Sequence, residues 1–413
     1  MEYYDNLETQ DLKTRTETLR EALPVHIEHA KERSSAYAQL LADIIPDEID
    51  SLEHLAKLPV TRKSEMQALQ QQSPPLGGLA TIKKGRVTRI YQSPGPIYEP
   101  EARRPDYWRM ARALFAAGFR SGQLVHNTFS YHFTPAGFMF DSGARALGCP
   151  VFPAGVGQTE LQVKAIADLK PDGYAGTPSF LKIILEKASE LKTDVSSLKR
   201  ALVGGEALPP SLRSEFKANN GLEVFQCYAT ADIGLIAYES SALEGLIADE
   251  GVLIEIVRPG TGDPVPDGEV GELLVTTFNP EYPLIRFATG DLSAILPGES
   301  PCGRSNKRIK GWLGRADQTT KVRGMFVHPS QVADVIKRHP EISKGRLVID
   351  NQDHVDSMLL RCELTGGTAP EELAPAITET IREVCKLRGE VEFLEPGSLP
   401  NDGKVIDDIR SYE

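Results

Sequence analysis

Four short segments carry groups that can do chemistry: the Gly204-Gly205-Glu206 run in GGEAL, Tyr228 to Asp232 in YATAD, Asp291 in RFATGDLS, and Lys404 in NDGK. Paired glycines let the backbone pass close to a planar ligand. The carboxylates of Asp232 and Asp291 are pure acceptors, suited to a metal ion or to paired hydroxyls. Lys404 follows Gly403, so its ammonium has the freedom to approach developing negative charge. Each segment also has a plain structural reading: a strand-to-helix turn for GGEAL, a loop or helix-start carboxylate for Asp232, turn residues for Asp291 and Arg315, and a solvated tail lysine for Lys404.

The order of the segments adds what none carries alone. GGEAL, YATAD, PLIRFATGDLS (residues 283–293) and GRADQTTKVRGMFVHPSQV (residues 314–332) resemble the signature series of adenylate-forming enzymes. PLIR, CGR (residues 302–304) and RGMFVHPSQV are similar to the phenylacetate-CoA ligase family, and the resemblance runs from about Leu69 to Asp407. It implies ATP-dependent, AMP-forming activation of a small aryl or arylacetic acid through an acyl-adenylate, with transfer to coenzyme A. A carboxylate attacking the α-phosphate needs adenine buried, ribose held, Mg²⁺ fixed and a crowded anion neutralised. By resemblance, Gly204, Gly205 and Glu206 lie beside adenine, Tyr228 stacks on it, and Ala229 and Thr230 continue that stretch. Asp232 stands for the Mg²⁺-binding glutamate, one methylene shorter, and Ala231 occupies the place of a phosphate-contacting hydroxyl. Thr230 is next door but points differently in an extended segment. Asp291 holds the ribose, Arg315 reaches ribose or phosphate from the domain hinge, and Lys404 enters for adenylation.

The chain departs from the family at the phosphate loop, where a Ser/Thr/Gly-rich stretch ending in lysine is replaced by YQSPGPIYEP (residues 91–100). Two prolines remove backbone donors from a cradle that works through them. Glu99 occupies the lysine's place, which sets a negative charge near a triphosphate. A ligand-binding homologue without full catalysis is therefore a second reading, and a carrier protein or an amine is an alternative acceptor to CoA. Ser240 and Leu246 stand where some relatives carry zinc ligands, so no zinc is expected. In NTFSYHFTPAG, Tyr131, His132 and Phe133 are candidate walls of the acid pocket, or else core residues.

Composition sets the frame for these segments. The 413 residues include 46 Lys plus Arg against 58 Asp plus Glu, a net charge of -12, which disfavours nucleic acid as a partner. Five scattered cysteines predict no disulfide framework, and the polar start and the lack of a long apolar run predict a cytoplasmic protein without a membrane span. Monomer and homodimer stay open. Helical spacing over Leu12 to Leu69, then helices alternating with short apolar strands, predicts a large N-terminal α/β domain with parallel sheets over residues 1–313. Alternation around TGDPVPDG predicts a β hairpin within it. Residues 314–413 read as a small, mobile C-terminal α+β domain, the two together making the adenylate-forming enzyme fold. Asp291→Ala is expected to raise the Kd for ATP in isothermal titration, because a ribose anchor acts before chemistry; an unchanged Kd assigns Asp291 to a turn.

Overall fold

The computed structural model describes residues 2–93, 96–314, 316, 318, 320–323, 325–352, 355–366, 371–400 and 404–410. Arg315 and Asp317 of the expected hinge, and Pro94 and Gly95 of the expected phosphate loop, lie outside the described residues. The chain divides into two compact units, Met1–Glu255 with Leu274–Thr289 and Leu296–Trp312, and Ile256–Leu273 with Gly290–Ile295 and Leu313–Glu413.

The strands are, in order, β1 (Val87–Ser93), β2 (Ile97–Ala102), β3 (Val125–Asn127), β4 (Val151–Pro153), β5 (Gly173–Gly176), β6 (Arg200–Val203), β7 (Glu223–Thr230), β8 (Gly234–Tyr238), β9 (Leu246–Ala248), β10 (Val252–Val257), β11 (Gly271–Thr277), β12 (Leu284–Ser293), β13 (Ile295–Leu296) and β14 (Arg308–Ile309). Nine of them form one sheet in the order β13-β14-β9-β8-β7-β6-β5-β3-β4. The run β4-β3-β5-β6-β7 is parallel; β8 then adds antiparallel to β7, and β9 antiparallel to β8. Parallel neighbours need crossovers, which the helices Thr159–Leu169, Pro178–Glu190 and Pro210–Asn220 supply. The second of these starts where its residues dictate: Thr177 caps it, its side chain accepting from Phe180 N at 3.3 Å, and Pro178 holds the first turn. Leu181, Ile184, Leu185 and Ala188 then turn one face into the core.

In the second unit, β15 (Thr320–Val322) and β16 (Met325–Val327) precede the helix Pro329–Lys337, and β17 (Ile342–Gln352), β18 (Val355–Leu364), β19 (Glu390–Leu394) and β20 (Ile406–Asp408) form a sheet ordered β19-β18-β17-β20. The helix Leu373–Cys385 buries Leu373, Ile377, Ile381 and Cys385, the i, i+4 stripe of an amphipathic helix. All five cysteines are buried and unpaired, and among the described residues no helix is long and apolar enough to cross a membrane.

One arginine ties three stretches of the first unit together. The buried Arg286 on β12 donates through Nε to both Glu255 oxygens at 3.1 Å, and its Nη1 bonds Ala56 O at 2.9 Å and Leu58 O at 2.6 Å. It does so with φ 47, an unusual conformation for a residue with a side chain. Next to it, Thr61 N donates to Arg286 O at 3.0 Å, Ala288 N to Thr61 O at 2.9 Å, and Thr61 Oγ1 to Ile285 O at 2.9 Å. The segment leading into the helix Lys63–Gln72 is thereby laid along β12.

Two stability predictions follow from buried charge. Arg286→Met leaves Glu255 buried and unpaired, at a cost of about 3–5 kcal/mol; a lower Tm is expected, with recovery when Glu255→Met is added. The second concerns His26, buried with its ring 5.2 Å from that of Phe278 and its pKa pushed by burial down to about 4. An unfolded histidine binds a proton below about pH 6.5. The stability this neutral ring contributes is therefore present above about pH 6.5 and lost as pH falls toward 4. His26→Leu should lessen the loss of stability between pH 7 and pH 5 by about 2 kcal/mol, measured by denaturant unfolding at each pH.

Candidate active site

The candidate site grows from the C-terminal ends of β6 and β7, where parallel α/β sheets bind ligands. Gly204 leaves β6 with its N–H on Gly176 O at 3.2 Å, and a Cβ there would meet Cys227 O and Sγ at 3.2 Å. Gly205 has φ +77, so the turn needs glycine even though the space around it is open. On β7 a bulge between Tyr228 and Ala229 shifts the register and swings the next residues out of the regular pleat.

A cavity of about 100 Å³ lies between these two turns and the helix Ala136–Ala146. Gly204, Gly205, Ala229, Thr230 and Ala231 line one side, and Phe129, Thr134, Met139 and Phe140 line the other. The rings of Phe129 and Phe140 stack at 4.3 Å. Thr230 uses its hydroxyl locally, accepting from Ile233 N at 3.2 Å. Glu206 is exposed beside the turn and accepts weakly from Ser179 N at 3.4 Å, whereas Tyr228 is half-buried on β7 and does not line the cavity.

The candidate acid-pocket walls lie off this cavity. Phe133 is 77% exposed at φ 61, His132 is exposed, and the Tyr131 hydroxyl accepts from Asn127 Nδ2 at 2.8 Å. None of the three lines the cavity. The left-handed kink at Phe133 turns this stretch outward, and Phe129 and Thr134 on either side face in. Sequence reasoning also missed Cys227, Met139 and Phe140; the small residues of YATA opposite an aromatic-rich helix were the available signal.

The expected phosphate loop is a hairpin. β1 and β2 pair in register from Ile90↔Pro100 to Ser93↔Ile97, so Glu99 sits within β2 opposite Tyr91 instead of on a free loop. Ser93 Oγ donates to Glu99 Oε1, and the Glu99 carboxyl is raised to about 8, chiefly by burial and then by the charge of Asp232. Asp232 has a fully buried side chain with Lys63 Nζ 2.9 Å from Oδ2, an ion pair by distance in which neither Asp232 oxygen has hydrogen-bond geometry among the described residues. An orphaned, buried carboxylate suits a hard cation such as Mg²⁺, which is held through one or two carboxylates plus phosphate. Among the described residues no three His, Cys, Asp or Glu side chains gather around a common point.

The second unit carries Asp291 and Lys404. Asp291 is buried near the end of β12, after Gly290 at φ +72; beside it Leu292 N donates to Gly314 O and Leu313 N to Leu292 O, each at 2.9 Å, and Ala316 N to Gly290 O at 2.7 Å. The chain on either side of Arg315 thus runs against the Asp291 turn. Lys404 precedes β20, with Nζ 2.9 Å from Asp407 Oδ1, at the edge of a cleft of about 810 Å³ that also meets Arg258, Lys337 and Lys344. Gln318 Oε1 accepts from Val405 N at 2.6 Å and Ile406 N at 2.8 Å, fixing the backbone that follows the lysine.

Residues 111–279 match the AMP-binding enzyme family, and residues 324–408 match the AMP-binding enzyme C-terminal domain. The chain is 30% identical over 403 residues to a phenylacetate-coenzyme A ligase of Aromatoleum evansii, covering 92% of this chain and 90% of that one. It is 29% identical over 437 residues to the protein of that name in Escherichia coli (strain K12), covering 98% of each. In fold it is similar to a 2-hydroxyisobutyryl-CoA ligase solved in complex with 2-HIB-AMP and CoA, with TM-score 0.72 at 24% identity over 98% of this chain and 92% of that one.

Proposed function

The chain belongs to the phenylacetate-coenzyme A ligase family, and from that premise we propose that it activates a small aryl or arylacetic acid. It is an AMP-forming acid-CoA ligase: the acid carboxylate attacks the α-phosphate of ATP, pyrophosphate leaves, and the CoA thiol then displaces AMP from the acyl-adenylate. The observation that carries the choice of acid is the cavity between the Gly204-Gly205 turn and the Ala229-Thr230-Ala231 run. It is apolar, about 100 Å³, and walled by stacked Phe129 and Phe140. That suits one small ring better than a long chain, since drug-sized ligands fill about 300–1,000 Å³.

We assign nucleotide contacts to Gly204, Gly205, Glu206, Tyr228, Ala229 and Thr230, ribose to Asp291, and ribose or phosphate to Arg315. Asp232 is the residue we assign to Mg²⁺, which when bound offsets the phosphate charge. Lys404 is the adenylation lysine, its ammonium stabilising negative charge that grows as the carboxylate meets the phosphate. We take Gly314 as the start of the small mobile domain, supported by the separate match over residues 324–408. A cytoplasmic setting is supported by five buried, unpaired thiols.

The hairpin in place of a phosphate loop favours one competing reading, a homologue that binds ligand without turning it over. Pyrophosphate release with a panel of aryl and short acyl acids separates the two, since steady release that vanishes in Lys404→Ala excludes a non-catalytic protein. Lys404→Ala is expected to lower acyl-adenylate formation about 10²- to 10³-fold yet still convert synthetic acyl-adenylate and CoA to thioester. Equal loss in both half-reactions would make Lys404 a structural contact.

A further inference from the structure

The polar cluster behind the YATAD turn gathers buried oxygens that lack hydrogen-bond geometry to any partner among the described residues. Glu99 is 1% exposed; its Oε1 accepts from Ser93, and its Oε2 is buried without a hydrogen bond among the described residues. Both oxygens of Asp232 are equally orphaned, although the Glu99 and Asp232 carboxyls lie within hydrogen-bonding range of each other. One carboxyl can bond the other only by holding a proton, and a bound cation takes the place of that proton. The hydroxyl of Tyr282, a residue 1% exposed, is also buried without a partner and lies within electrostatic reach of both carboxyls. Among the described residues, the ammonium set against these acids is that of Lys63 at the first turn of the helix Lys63–Gln72.

A buried carboxylate without compensation is costly, and removing it from water is offset only by a cation or by a full set of donors. Three orphaned carboxylate oxygens and a hydroxyl form an all-oxygen set, which selects a hard divalent cation over a soft one. The set neighbours the candidate site in the chain, since Asp232 directly follows the cavity-lining Ala231. Lys63 can yield its place, since its side chain is 38% exposed and rides on a flexible four-carbon stem.

We propose that Glu99 and Asp232 together ligate a divalent cation of the Mg²⁺ class, and that Lys63 is the counter-ion that holds the pair until the metal displaces it. The family's loop cation is then not simply lost, because Glu99 in its place recruits a metal charge to the same side of the site. Freed from Asp232, the Lys63 ammonium becomes available to the phosphate the metal carries. The inference rests on Asp232 as the metal-binding carboxylate of the proposed ligase reaction and adds Glu99 and Lys63 to it.

The test uses Mn²⁺ as the probe, with the full-length protein and no nucleotide, following loss of the free-ion electron paramagnetic resonance signal. The wild type is expected to take up one Mn²⁺ per chain, displaceable by Mg²⁺. Glu99→Gln and Asp232→Asn should each weaken uptake at least 10-fold, and Lys63→Met should tighten it several-fold by removing the competing ammonium. No uptake by the wild type, or wild-type affinity in folded Glu99→Gln, overturns the proposal. Should Glu99→Gln fail to fold by circular dichroism, the partly exposed Lys63→Met decides alone, and unchanged or weaker Mn²⁺ affinity there overturns it. Pyrophosphate release from ATP and aryl acids by the same wild-type sample reports on the ligase reading separately, so either can fail while the other stands.

Discussion

The guanidinium of Arg286, buried against Glu255 and the carbonyls of Ala56 and Leu58, is the constraint on which the first unit's site depends. A planar group with five donors can serve a carboxylate and two carbonyls at once, which a lysine cannot. Through those bonds and the Thr61 pairing, the segment ahead of Lys63 lies on β12, and Lys63 comes within 2.9 Å of Asp232. The helix Lys63–Gln72 is held at its other end as well, where Gln70 Nε2 donates to Tyr98 O at 2.7 Å and Tyr98 N donates to Gln70 Oε1 at 2.9 Å. The unusual backbone conformation at Arg286 is held in place by these same bonds, as strained residues are when their surroundings over-determine them.

The pairing of β1 with β2 is the second determinant. The described residues of β1 and β2, out to Ser93↔Ile97, commit backbone donors and acceptors to their own ladder in place of a free Ser/Thr/Gly-rich loop. The residues beneath it compensate with side chains, and Glu99, Ser93, Asp232, Lys63 and Tyr282 form a polar cluster that is dense for a buried region. With the metal proposed for Glu99 and Asp232, phosphate contacts shift from main-chain donors toward ions, and such a site depends more on ionic conditions than a backbone cradle does.

Elements that follow from local residues were legible in the chain. Thr177-Pro178 announced a helix that its own side chain caps, and the 3.6-residue spacing of Leu181, Ile184 and Leu185 matched the buried face. Short apolar runs between helices marked the parallel strands. GGEAL and YATAD were joined in the chain by their family resemblance, and the structure puts them at the ends of β6 and β7, which are neighbours in the sheet. By contrast, Tyr131, His132 and Phe133 were the expected pocket walls because NTFSYHFTPAG resembles the family stretch that lines the acid, and a resemblance does not say which side chains of the stretch face in. The backbone kink at Phe133, which no propensity announces, put their neighbours in that role.

The residues of this chain, taken alone, determined the family, the order of the motifs, and the need for Gly205 at a turn that only glycine enters easily. These depend on residue type and short spacing, and the covalent chain carries both directly. Only tertiary structure decided that Glu99 is a buried strand residue, that Lys63 from 169 positions away pairs with Asp232, and that Phe140 faces Ala229 across the cavity. Those facts depend on which backbone segments pair and which way a strand's side chains face. A one-residue change in register reverses the facing of every side chain in the strand, so such contacts are settled by the packing of the whole unit and not by any local stretch.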